Sequence, residues 1–307
     1  MDFDGDGKLD MVSGSYDPGD IWLFRGLGGG ELEAGEVIRD EAAVALVHHP
    51  LQLVEYETRW KGGKDQSSQP ALRARVASFG SWPCVLDWDG DGDLDVLIGS
   101  FAGDVWLRTN VGTRTQPRFA KESVPVLAAG KPLQVHGHAA PAAADWDGDG
   151  LVDLVVGADD GSVTWFKNAG TKEAPRLGAG QVLLPARAED KFLVQYLQPD
   201  QEPGRGVRNQ VHVADYDGDG KLDLLVGDYS SVRRLRAGLD ADDRARLERV
   251  LARERELDAS DARAEAAEAK APQDAAAVEE RTQLANAKAS FYESLGTQSF
   301  VWVYLRK

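Results

Sequence analysis

Residues 87–110 read DWDGDGDLDVLIGSFAGDVWLRTN, and the first nine of them decide the fold. They follow the pattern D-x-D-G-D-G-x-x-D, which returns as DFDGDGKLD from Asp2, DWDGDGLVD from Asp145 and DYDGDGKLD from Asp215. The second position is aromatic every time: Phe3, Trp88, Trp146 and Tyr216. The four segments hold 17 aspartates, and carboxylates so crowded repel one another unless a cation sits among them. Hard oxygen ligands at alternating positions suit Ca²⁺, which takes six to eight oxygens in flexible geometry. The expected ligands are the side chains at positions one, three, five and nine. These are Asp2, Asp4, Asp6 and Asp10; Asp87, Asp89, Asp91 and Asp95; Asp145, Asp147, Asp149 and Asp153; and Asp215, Asp217, Asp219 and Asp223. The carbonyl at position seven, from Lys8, Asp93, Leu151 and Lys221, completes each set, for about four Ca²⁺ sites. Gly7, Gly92, Gly150 and Gly220 at position six allow the sharp turn at positive φ. Four solvated acidic turns would account for one such segment, but not for four copies with the same glycines.

An EF-hand also begins D-x-D-x-D-G, yet it needs a bidentate Glu at position twelve, where this chain has Ser13, Ile98, Val156 and Val226. Each loop instead runs into a short apolar stretch ending in glycine (MVSG, VLIG, LVVG, LLVG), which reads as a strand. Self-similarity continues beyond it. A turn, a second strand bearing Trp22, Trp106 or Trp165, a glycine turn and a further strand (GEVIRD, SVPVLA, QVLLPA) follow. Before three of the loops lie WPCVL, PAAA and VHVA. A four-stranded antiparallel unit repeated in tandem is a propeller blade. The fold expected is therefore all-β, a β-propeller of four detectable repeats with an α-helical hairpin insertion in the last blade.

These loops and the strands around them resemble the FG-GAP or VCBS repeat family, the calcium-loop β-propellers that include the integrin α-subunit head. The resemblance covers about residues 1–238 and the last eleven. It implies that each loop joins the first two strands of a blade on one face of the ring. Only Met1 stands ahead of the first loop, and Phe300 to Lys307, FVWVYLRK, aligns with the third strand with no fourth behind it. The sequence thus reads as an N-terminally shortened form that can also lack a signal peptide, or else as a four-bladed ring with one weak seam.

Between Gly238 and Gly296 there is no glycine, and Ala, Glu and Arg dominate. That composition favours helix, and Pro272 divides it into two helices near 240–269 and 274–294. Leu284, Lys288, Phe291, Tyr292 and Leu295 form an apolar stripe on the second, and Leu247, Val250, Leu251 and Leu257 a weaker one on the first. The expected domains are 1–238 for the propeller repeats, 239–296 for the helical insertion and 297–307 for the closing strand. The insertion is either an arm for partner docking or self-association, or a self-packed extension of a surface connection.

The net charge of −16 disfavours a nucleic-acid partner. No run of 18 apolar residues suggests a transmembrane segment. Cys84, the only cysteine, reads as a buried, inert thiol. His48, His49, His136, His138 and His212 form no recognisable catalytic pattern, and Gly26 to Gly30 is a turn. The loop aromatics are expected to shield the metal loops, and Trp22, Trp106, Trp165 and Trp302 to pack between blades. Trp60 and Trp82 fall in the long inter-repeat segments, with Arg59 and Trp60 candidates for recognition. The function expected is a non-catalytic binding or adhesion module for protein or glycan ligands, extracellular, periplasmic or at the cell surface. A polysaccharide-active, lyase-like enzyme and an assembly subunit docking through the insertion are the alternatives.

Overall fold

A computed structural model describes residues 1–16, 19–47, 80–187, 193–266 and 275–307. The chain forms two compact units: residues 1–191, 205–228 and 300–307 make the first, and residues 192–204 and 229–299 the second.

The first unit is a four-bladed β-propeller arrangement. Blade one pairs β1 (Met11–Gly14), β2 (Ile21–Phe24) and β5 (Glu36–Val37), with a side ribbon of β3 (Gly26–Gly28) and β4 (Glu31–Leu32). Blade two runs β6 (Ser81–Leu86), β7 (Asp95–Ser100), β8 (Val105–Arg108), β9 (Val124–Pro125) in sheet order. A ribbon of β10 (Leu127–Ala128) and β11 (Lys131–Pro132) follows it. Blade three runs β12 (Ala140–Ala144), β13 (Asp153–Gly157), β14 (Val163–Phe166), β15 (Gln181–Leu184). After β16 (Val194–Leu197), blade four is built from β17 (Val207–Ala214), the first half of β18 (Asp223–Leu235) and the C-terminal β20 (Val301–Tyr304). Each acidic loop from the second onward links the first two strands of its blade, as the antiparallel registers Leu86↔Asp95 and Ala144↔Asp153 show.

The apolar runs become strands because both their faces are covered. β7 and β13 are buried along their whole length. Side chains from successive blades interleave into three cores. Phe3, Ile21 and Leu23 meet Val96 and Ile98; Leu97 and Val105 meet Leu154 and Val156; Val155 and Val163 meet Leu224 and Val226. The glycine that closes each run is required at these seams. A Cβ on Gly14 would lie 1.9 Å from the Ser81 carbonyl oxygen, one on Gly99 1.9 Å from that of Ala139, and one on Gly157 2.2 Å from that of Asn209. Backbone meets backbone there, and only glycine leaves room.

The second unit holds α1 (Ala241–Ala266), α2 (Ala275–Ala289), β19 (Tyr292–Gln298), β16 and the second half of β18. Asp240 caps α1, its Oδ1 accepting from the Asp243 amide at 2.8 Å. Ion pairs Arg253–Glu280 (2.8 Å), Arg281–Asp258 (3.1 Å) and Lys288–Glu254 (2.8 Å) link the two helices. Leu247, Phe291 and Tyr292 form its small core, with Tyr196, Leu235 and Leu251 against them.

Sequence and structure part company here in three places. The strand that opens with the short apolar stretch LLVG continues to Leu235, where β16 pairs with it in parallel and β19 antiparallel. The excursion therefore leaves the propeller at Tyr229, not after residue 238, and takes in residues 192–204. Alanine-rich composition marks the helices but not the ordinary β residues that flank them. Second, α2 ends at Ala289, so Phe291, Tyr292 and Leu295 belong to a turn and β19 and not to a helical stripe. Third, Trp82 lies on β6 and not in a connecting segment.

Candidate metal centre

In all four loops the amide of position seven donates to the position-five carboxylate. The pairs are Lys8 to Asp6 (2.8 Å), Asp93 to Asp91 (3.0 Å), Leu151 to Asp149 (3.0 Å) and Lys221 to Asp219 (2.8 Å). In three loops the position-one carboxylate accepts from the glycine amides at positions four and six. Asp2 takes Gly5 and Gly7, Asp145 takes Gly148 and Gly150, and Asp215 takes Gly218 and Gly220. Both glycines, not only the sixth, stand at positive φ in every loop, from 73° at Gly90 to 98° at Gly92.

The turn gathers the carboxylates. One oxygen from each of Asp2, Asp4 and Asp6 lies within 4.8 Å of the others, and the same holds for Asp87, Asp89 and Asp91, for Asp145, Asp147 and Asp153, and for Asp215, Asp217 and Asp223. Positions one and three converge in all four loops, joined by five in the first two and nine in the last two.

Position nine has a role that its identity as a further carboxylate did not reveal. Asp10, Asp95, Asp153 and Asp223 are buried. Each accepts from the amide of the loop aromatic, over 2.6–3.2 Å, on one oxygen. The other oxygen accepts from an amide just past the third strand: Gly26, Asn110, Asn168 or Arg306. The ninth aspartate thus ties the loop to the far side of its own blade. Asn110 and Asn168 extend the clasp, each side-chain oxygen accepting two further amides. The shared NVGT and NAGT were the sequence signal for it.

Burial and hydrogen bonding pull Asp95, Asp153 and Asp223 in different directions. Burial pushes Asp95 up to about 7, against the lowering effect of the Asn110 and Trp88 amides, with Asp89 and Asp93 adding repulsion. Burial also raises Asp153 and Asp93, the latter with help from Asp91, Asp89 and Asp87. Asp223 moves the other way, held down chiefly by the Arg306 amide.

The residues present fit a hard cation, and loop two fits it best. Among the described residues, the buried Oδ1 atoms of Asp87, Asp89 and Asp93 find no hydrogen-bond donor there, and neither does that of Asp147 in loop three. A buried anionic oxygen without a donor calls for a positive partner. In loops one and three a side chain supplies part of one. Arg25 pairs with Asp4 and with Glu36 at 2.7 Å, and Lys167 reaches Asp147 and, at 2.8 Å, Asp149. Lys172 stays 3.9 Å from Asp87.

The loop aromatics are not placed alike in the four loops. Phe3 is 2% exposed and Trp146 9%, both packed in the cores between blades, while Trp88 packs against the second core. Tyr216 is 62% exposed. His138 is buried, with Nδ1 3.0 Å from Asp159 Oδ1 and its ring stacked on Trp82. Arg59, Trp60, His48 and His49 lie outside the described residues. Burial pushes the Cys84 thiol up to about 11.

Two overlapping segments, residues 87–156 and 145–226, match the model of the FG-GAP-like repeat. No curated protein matches the chain. Each matched segment opens on one acidic loop and reaches past the next, spanning the repeat that the blades display. Residues 87–226 are thus similar to the FG-GAP-like repeat.

Proposed function

We propose that the protein is a calcium-stabilised propeller serving as a non-catalytic binding or adhesion module for a protein or glycan partner, outside the cytoplasm. The observation that carries this reading is the convergence of three carboxylates in each of four loops, with buried oxygens in loop two that find no donor among the described residues. A bound Ca²⁺ would supply counter-charge and fix the turn; the chain's own residues hold it and present the blade edges. Among the described residues no helix is long and apolar enough to cross a membrane, which leaves β-barrel insertion unaddressed. Modules outside the cell bind Ca²⁺ with constants of about 10⁻⁴–10⁻³ M, a range that extracellular calcium fills and cytosolic calcium does not.

The test is thermal unfolding in 10 mM Ca²⁺ and in EDTA, joined to a calcium titration. A site held at 100 times its dissociation constant adds about 2.7 kcal/mol. A rise in Tm of several degrees is expected, and identical melts would remove the calcium assignment. A polysaccharide panel scored for retained protein and for newly released ends separates binding from cleavage. New ends would replace the binding module with an enzyme.

A further inference from the structure

The amide that reaches back to the ninth aspartate belongs to Gly26, Asn110, Asn168 and Arg306, one in each blade. These four bonds align the blades residue by residue. The residue just before each amide is therefore equivalent in the four: Arg25, Thr109, Lys167 and Leu305. Two of these are cations, and both reach the third carboxylate of their own loop. Arg25 pairs with Asp4 Oδ2 and Lys167 with Asp147 Oδ2. Lys167 also reaches Asp149 Oδ2 at 2.8 Å, so its ammonium bridges two of the expected metal ligands. Thr109 and Leu305 are neutral and bring no charge to loops two and four.

Loop two gives a second, independent observation. Its seventh residue is Asp93, where the other loops have Lys8, Leu151 and Lys221. Asp93 is 8% exposed and lies beside Asp91, Asp89 and Asp87. Its Oδ1 finds no donor among the described residues, and neither do those of Asp87 and Asp89. Loop three, with Lys167 in place, keeps one such oxygen, on Asp147. Among the described residues Lys172 alone pairs with loop two, 3.9 Å from Asp87, and its side chain is 64% exposed. Lys8 and Lys221 pair with Asp6 at 3.0 Å and Asp219 at 3.4 Å. Both lysines are well exposed, where such pairs contribute little.

We propose that this one strand-end position selects what neutralises each loop. In loops one and three the protein supplies its own cation, Arg25 or Lys167, which Ca²⁺ must displace to bind. In loops two and four the place is left to Ca²⁺, and Asp93 makes loop two the tightest site. The inference rests on the calcium reading and divides its four sites into two classes. A tethered positive charge beside the same oxygens repels a divalent ion and competes for its ligands. An added carboxylate acts in the opposite direction, since ligand charge tunes calcium affinity. Calcium then acts on the propeller through blades two and four, while loops one and three keep their counter-charge without it.

The test is a calorimetric Ca²⁺ titration of the full chain, joined to melts in EDTA. The protein is expected to show two sites at least about tenfold tighter than the rest. Lys167→Met keeps the side-chain stem and removes the charge. It should add a third tight site, lower Tm in EDTA and recover that loss in Ca²⁺. Leu305→Lys, at a position 51% exposed, places a cation where blades one and three carry theirs. It should remove one tight site and raise Tm in EDTA. Four equivalent sites in the unaltered protein would overturn the proposal and leave the calcium reading standing. A tight-site count that either variant leaves unchanged would do the same. Absence of Ca²⁺ binding in all three proteins would overturn the calcium reading, and this inference with it.

Discussion

Asp95 is pulled in two directions. Burial favours its protonated form up to about 7, while a cation among Asp87, Asp89 and Asp91 favours the carboxylate. An unfolded aspartate releases its proton near pH 3.9. Between about 4 and 7 the folded chain therefore holds the extra proton, and stability falls as pH rises through that window, then levels. Melts in EDTA are expected to show a lower Tm at pH 8 than at pH 5, with Ca²⁺ largely removing the difference; a pH-independent melt in EDTA would contradict the burial effect. Substitution separates the two roles. Asp95→Ala strands the buried Trp88 and Asn110 amides and should cost roughly 2–4 kcal/mol even in chelator. Asp91→Ala sits on the exposed side of the same loop and should leave the chelated melt alone while removing one calcium site from the titration.

Strands and helices were legible to different degrees. Loop, apolar run and closing glycine repeat so regularly that β7, β13 and the start of β18 follow from spacing alone. The glycine's reason did not, because it lies in the next blade. Gly99→Ala should cost about 1–3 kcal/mol or more, since a carbonyl carbon and oxygen must move together to admit the methyl. In the second unit the helices were visible in composition, but their ends were not. Phe291 and Tyr292 continued the helical period, and pairing of Tyr292 with Leu235 drew the segment into β19 instead. Leu247→Ala is expected to cost roughly 2–4 kcal/mol and to melt the helical unit ahead of the propeller, as two calorimetric transitions. A single transition at an unchanged Tm would show that this core contributes little.

At the scale of the molecule, three apolar cores among the described residues join successive blades, each drawn from residues far apart in sequence. The helical unit is a separate candidate for recognition. Replacing residues 240–290 with a short turn should preserve the calcium-dependent melt of the propeller. Loss of that dependence would mean that the metal loops need the second unit.

Sequence alone determined the repeat, the four acidic loops and the convergence of the first and third carboxylates in each. A nine-residue turn is local: its glycines and carboxylates constrain each other within a few bonds, so spacing carries the whole pattern. Tertiary structure decided the rest, because it depends on groups brought together from distant places. It made position nine a clasp across the blade, set Arg25 and Lys167 against loops one and three, and left Tyr216 exposed while its three counterparts are packed. It also decided where the second unit begins, since a strand's extent is fixed by the partners that pair with it and not by its own residues.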